Sequence, residues 1–296
     1  MRLIRSAARM AALARRLERR GRRIGVVPTM GALHAGHASL IRCCAAESDV
    51  TVVTIFVNPL QFGPTEDFAR YPRMLRRDLA LARSCGADIV FAPSASQLYP
   101  RGFQTAVAPG ALAPPALLRK AKQAGLARRW EGAARPGHFS GVATVVTLLF
   151  QLTRPAAAYF GQKDYQQACV VKRLVSDLKF PLKIRVLPTV RERDGLAMSS
   201  RNVYLSPVQR ARARALIRAL RAAAARIRAG ERRAARVAGA MRSLIRRQPG
   251  LRLDYAAVVD AATLEPLVRL RGRVALLVAA RVGRTRLIDN LLVEVP

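Results

Sequence analysis

An α/β fold, a doubly wound parallel sheet followed by a smaller α+β domain, is what this sequence predicts, on three observations. Short apolar, β-branched runs recur without alternation, as in strands covered on both faces. Segments of helical period separate those runs. Past Pro188 the texture changes, with two arginine-rich helical stretches followed by three strand-like runs. A chain of 296 residues, 51% apolar and 5% aromatic, suits helices wrapped around a sheet in one large or two modest domains.

Residues 1–20 are amphipathic and arginine-rich, a pattern shared with organelle transit peptides. Glu18 within them and a strand starting at Ile24 favour a first helix packed on the domain. Residues 24–27, 50–57 and 87–92 read as strands, with helices over 38–47 and 73–85 between them. A helix over 141–151 and strands over 157–160 and 184–187 continue the pattern. The expectation is a Rossmann-like domain over 1–187, with ligands bound beyond the carboxyl ends of its strands. In residues 188–296, Ser206-Pro207 is a helix start, and Leu216, Leu220, Ala223 and Ile227 keep helical spacing up to a stop at Gly230. A second helix over 231–247 and strands over 253–259, 274–280 and 286–293 complete a C-terminal α+β lid domain.

The formal charge is +34, and of the 52 basic residues 46 are arginine and six lysine. Such a charge suits a polyanion, and an RNA-binding module is the competing class. The arginines are spread along the whole chain without interleaved aromatics, so the reading taken is a compositional bias over an enzyme, with no nucleic-acid partner expected. Four cysteines without C-x-x-C spacing read as free thiols of a reducing compartment, the cytoplasm. No apolar run reaches membrane-spanning length.

Chemistry concentrates after the strands. In "PTMGALHAGH" (28–37) a strand runs into a glycine turn and a helix, which aims backbone N–H groups and the helix dipole at an anion. His34 and His37, at i and i+3, fall on one face of the first helical turn, where imidazoles donate to phosphoryl oxygens. A metal pair or two structural histidines are the alternatives. In "YFGQKDYQQ" (159–167), Lys163 offers a point charge for phosphates and Asp164 an acceptor for a ribose hydroxyl. "LAMSSRN" (196–202) joins Ser199, Ser200 and Arg201 in an anion clamp at the domain junction, or else a loop capping the next helix. In "FVNPLQFGPTEDF" (56–68), Asn58 and Gln61 suit a small polar substrate.

Together with "RPGHFSGVATVV" (135–146) and "PTVRERDGLAMSSRN" (188–202), these blocks resemble, in order and spacing, the pantoate–β-alanine ligases. That family belongs to the nucleotidylyltransferase superfamily, which also holds the class I aminoacyl-tRNA synthetases. The resemblance implies ATP-dependent joining of pantoate to β-alanine through a pantoyl adenylate, with release of pyrophosphate and AMP, in a homodimer with Mg²⁺. It implies a nucleotide cradle at Met30, Gly31, Ala32, Leu33, His34, Ala35, Gly36 and His37, with His37 as proton donor. It implies ATP contacts from Gly161, Gln162, Lys163, Asp164, Val190, Met198, Ser199, Ser200 and Arg201. It places pantoate and β-alanine near Thr29, Asn58, Gln61, His138 and Gln167, with a structural hydrogen bond in a loop as the alternative role of His138. Two departures stand out: Gln162 replaces the family's usual Glu, and Arg76 and Arg77 stand where relatives often carry acids that help hold Mg²⁺, leaving Asp78 as the expected metal ligand.

Overall fold

The computed structural model describes residues 1–64, 66–110 and 125–296. These form two compact units: residues 1–110, 135–161 and 170–188 make the first, and 125–134, 162–169 and 189–296 the second.

The first unit is built on a six-stranded parallel sheet of β1 (Arg2–Ile4), β2 (Ile24–Thr29), β3 (Val50–Ile55), β4 (Ile89–Phe91), β5 (Ala157–Gly161) and β6 (Lys183–Leu187), in the order β1-β4-β3-β2-β5-β6. Connecting helices are α1 (Ala7–Arg19), α2 (Ala35–Glu47), α3 (Leu75–Ser84), α4 (His138–Thr153) and α5 (Tyr165–Asp177), of which residues 165–169 belong to the second unit. Successive strand residues point to opposite faces. Ile24, Val26, Val52, Phe91 and Ala158 join the core that α1 and α4 cover, while Val27, Val53, Val90 and Tyr159 join the core under α2 and α3. Burial on both faces is why β2 to β5 read as unbroken apolar runs. Strand order reverses beside β2, which has β3 on one side and β5 on the other, so the ligand crevice of such a sheet falls beyond the ends of β2 and β5.

Two elements differ from expectation in this unit. Residues 2–4 pair with β4 as an edge strand, and the helix starts only at Ala7, where Ser6 accepts from the Arg9 N–H. Helix α4 begins at His138, three residues ahead of the apolar run that announced it.

In the second unit a three-stranded antiparallel sheet of β7 (Leu251–Asp260), β8 (Arg273–Val282) and β9 (Thr285–Glu294) packs on helices α6 (Pro207–Ala213), α7 (Ala215–Arg228) and α8 (Ala234–Arg246). The single helix expected after Ser206 is two, because Arg214 (φ −59°, ψ −15°) tightens the backbone at their junction. Ser206 and Gln209 form the capping box that starts α6. The single helical turn Glu131–Ala134 belongs here too: buried Glu131 receives both ends of the Arg286 guanidinium (2.6 and 2.7 Å) and the Tyr255 hydroxyl (2.8 Å).

Candidate functional site

Beyond β2 the chain makes a turn through Gly31 (φ 80°) and Ala32 (φ 49°), two successive left-handed residues. Alanine holds that conformation at a cost of about 1–2 kcal/mol, so neighbouring groups must fix it. Asp78 at the start of α3 does so: its carboxylate, 1% exposed, accepts from the Ala32 N–H (3.0 Å) and the Leu33 N–H (2.7 Å). Burial pushes the Asp78 pKa up, against the two N–H bonds, which pull it down. Expected as a metal ligand, Asp78 therefore has both oxygens committed to backbone, and no group of three His, Cys, Asp or Glu able to hold a metal ion occurs among the described residues. Thr29 is similarly engaged, its hydroxyl donating to Thr54 O (2.6 Å) and accepting from the Gly31 N–H (3.1 Å).

The turn delivers the two histidines. His34 is the N-cap of α2 rather than part of its first turn, and His37 is the third helical residue. Each ring's Nδ1 accepts a backbone N–H, His34 from Gly36 (3.2 Å) and His37 from His34 (3.3 Å), a reciprocal capping box made by imidazoles. Their ring centroids lie 4.1 Å apart. Because Nδ1 accepts on both rings, the proton of each neutral imidazole is on Nε2, and both rings are set as N–H donors at a helix N-terminus.

After β3, Asn58 and Gln61 occupy a 3-10 turn (Pro59–Gln61) and are 1% and 9% exposed. Asn58 Nδ2 donates to Gln61 Oε1 (3.1 Å) and Gly141 O (3.0 Å), while Gln61 Nε2 donates to Met30 Sδ (2.9 Å). The Gln61 carbonyl accepts from His138 Nδ1 (2.8 Å) and Arg135 Nη2 (3.3 Å). Arg135 also donates from Nη1 to His138 Nε2 (3.0 Å) and forks onto Glu66 (2.7 and 2.6 Å). Burial pushes the Glu66 pKa up, but the paired guanidinium outweighs it and holds the carboxyl below its usual range. His138 thus acts on the Gln61 backbone. Thr29 to His37, Asn58, Gln61, Asp78, His138 and Gly161 are the predicted site residues that this unit holds.

The second unit holds the others: Gln162, Lys163, Asp164, Gln167, Val190 and Met198 to Arg201. Lys163 and Asp164 form an ion pair (3.1 Å) in the 3-10 turn that follows Gly161. A hairpin over 190–198, closed by the Met198 N–H on Val190 O (3.0 Å), brings those two residues together. Ser199 then caps the turn Ser200–Tyr204, accepting from the Arg201 N–H (3.3 Å). Gln167 lies half-buried near the start of α5.

Sequence reasoning missed what holds these pieces. Asp289 and Asn290, 5% and 2% exposed in β9, anchor both. Asp289 receives the Arg191 guanidinium (2.7 and 3.0 Å), fixing the hairpin. Asn290 Nδ2 donates to Gln162 O and Lys163 O (2.9 Å each), and Gln162 Nε2 donates to Asn290 Oδ1 (3.2 Å). The signal was present, two adjacent polar residues interrupting the apolar run Leu287 to Val293.

The model of the family described as pantoate–beta-alanine ligase matches residues 2–292. A pantothenate synthetase of Moorella thermoacetica is 54% identical over 276 residues, covering 93% of each chain. That of Heliobacterium modesticaldum is 49% identical over the full length of both. Among solved structures, a pantothenate synthetase from Thermus thermophilus has a TM-score of 0.89 and 46% identity, covering 98% of this chain and 99% of its own. A pantoate–beta-alanine ligase from Francisella tularensis, complexed with beta-gamma ATP and beta-alanine, has a TM-score of 0.77 and 35% identity, covering 99% and 97%.

Proposed function

The chain belongs to the pantoate–beta-alanine ligase family, and on that premise we propose how its residues carry out the ATP-dependent condensation of pantoate with β-alanine. A carboxylate is a poor acyl donor until its oxygen becomes part of a good leaving group. In the first step a pantoate carboxylate oxygen bonds to the α-phosphorus of ATP as the bond to the bridging oxygen breaks, giving pantoyl adenylate and pyrophosphate. In the second, the neutral β-alanine amine attacks the pantoyl carbonyl carbon, the bond to the AMP oxygen breaks, and the proton lost from nitrogen passes to solvent.

The observation that carries the assignment is the imidazole capping box at the end of β2. Two neutral rings with their protons on Nε2, at a helix N-terminus, stabilise charge developing on the α-phosphate. The His37 Nε2–H also donates a hydrogen bond to the departing oxygen. Lys163 balances the β- and γ-phosphates, Asp164 accepts from the ribose, Ser199, Ser200 and Arg201 receive phosphoryl oxygens, and Val190, Met198 and Gly161 border the nucleotide. Gln61 and Gln167 hold pantoate. The committed carboxylate of Asp78 does not suit a resident metal, so Mg²⁺ enters with ATP as part of the substrate. A homodimer, carried by the family resemblance, and a cytoplasmic location, carried by the free thiols of Cys43, Cys44, Cys85 and Cys169, belong to the same proposal; no helix among the described residues is long and apolar enough to cross a membrane.

The purified chain should release pyrophosphate from ATP only when pantoate is present. His37→Ala and Lys163→Ala should lower that rate by about 100-fold or more, with melting temperatures within about 2 °C of the parent. Normal rates with lost stability would show these residues to be structural.

A further inference from the structure

The Gln61 carboxamide is held in one orientation by a chain of hydrogen bonds that begins at Tyr99, a residue given no role above. The Tyr99 hydroxyl donates to Asn58 Oδ1 (2.7 Å). Backbone groups identify which way round Asn58 lies: the Leu60 N–H can only donate, and does so to Oδ1 (3.3 Å), while Gly141 O can only accept, and does so from Nδ2. Asn58 Nδ2 then points at Gln61, whose side chain must turn its oxygen inward to accept. The Gln61 NH₂ is what remains, directed at the Met30 sulfur, a weak acceptor that an oxygen readily replaces. A Cβ on Gly141 would overlap the Leu60 carbonyl oxygen, so α4 reaches this turn only because residue 141 has no side chain.

We propose that Tyr99, acting through Asn58, fixes Gln61 as a hydrogen-bond donor to pantoate, so that the pantoate oxygen meeting Gln61 must be an acceptor. Tyr99 is a positioning residue. It touches neither substrate nor nucleotide in this scheme, and its ring sits between Phe56 and Phe103, with centroids 6.0 and 5.1 Å away. Without its hydroxyl, Asn58 loses its strongest donor, and the Gln61 amide is freer to present oxygen instead of N–H. The inference rests on the pantoate-activating function proposed above.

The test is a double-mutant cycle on kcat/KM for pantoate in the pyrophosphate-release assay. Tyr99→Phe keeps the ring and should lower kcat/KM about 3- to 10-fold, the worth of one hydrogen bond, through KM alone, with kcat and the KM for ATP unchanged. On a Gln61→Ala background the same substitution should have no further effect. Equal losses in both backgrounds, or no loss in the first, would overturn the relay. If Tyr99→Phe does not fold, Asn58→Asp takes its place: it keeps the acceptor for Tyr99 and replaces the donor to Gln61, and its pantoate defect must also vanish with Gln61→Ala. A parent enzyme without pantoate-dependent pyrophosphate release would instead overturn the functional reading, and the relay with it.

Discussion

Gln162 shows how far one residue's chemistry is set by its partner. Asn290 Nδ2 is pinned by two carbonyls, which leaves Oδ1 facing residue 162. Gln162 answers with an N–H, which a carboxylate cannot supply. The missing family acid is therefore an amide matched to an amide, next to Lys163. Gln162→Glu should weaken ATP use about 3- to 10-fold, read as KM for ATP at saturating pantoate, because the buried acceptor of Asn290 loses its donor. Unchanged ATP use would show the pair to be incidental. The histidines were legible in the sequence because their spacing and the flanking glycines state their geometry. The roles of Asn290 and Asp289 were not, since they depend on bonds to residues 128 and 98 positions away.

Among the elements, the turn between β2 and α2 holds the proposed phosphate site, and α3 holds that turn through Asp78. An asparagine there keeps one acceptor and turns an NH₂ towards a backbone N–H, a loss of about 1–3 kcal/mol. Asp78→Asn should thus slow adenylation about 10-fold or more, with the Mg²⁺ concentration for half-maximal rate unchanged. A raised Mg²⁺ requirement at unchanged maximal rate would restore the residue as a metal ligand. The acid-and-arginine context of "YPRMLRRDL" pointed to a metal only by resemblance; the bond to residues 32 and 33 lies 46 and 45 positions away and leaves no local signature. Apolar runs revealed β2 to β5 because both faces of those strands are buried, and the edge strand β6 through Ile184, Val186 and Leu187 although none of its residues is buried. They missed β1, whose three residues are too few to show a period and lie beside an arginine-rich helix. The break at Arg214 was hidden for a related reason: helical spacing runs through it with only a local tightening of the backbone.

Over the whole molecule, an ordinary enzyme architecture carries an extreme charge. The 18 acids cannot balance 52 basic residues, and those that matter are spent in specific pairs, such as Glu66 on Arg135, Glu131 on Arg286 and Asp289 on Arg191. Many remaining arginines line exposed faces, as Arg218, Arg221 and Arg228 do along α7. The first unit's sheet is parallel throughout, and its expected nucleotide and pantoate residues sit at or beyond the carboxyl ends of β2, β3 and β5, apart from His138, which starts α4. The central claim is that neutral imidazoles at the end of β2 receive the α-phosphate while Gln61 receives pantoate. The most direct measurement is a crystal structure after soaking with ATP and pantoate. The account predicts density for pantoyl adenylate, with a phosphoryl oxygen within hydrogen-bond distance of His34 or His37 Nε2 and a pantoate oxygen on Gln61 Nε2. An adenylate bound elsewhere, with these three nitrogens making no contact to it, would contradict the account.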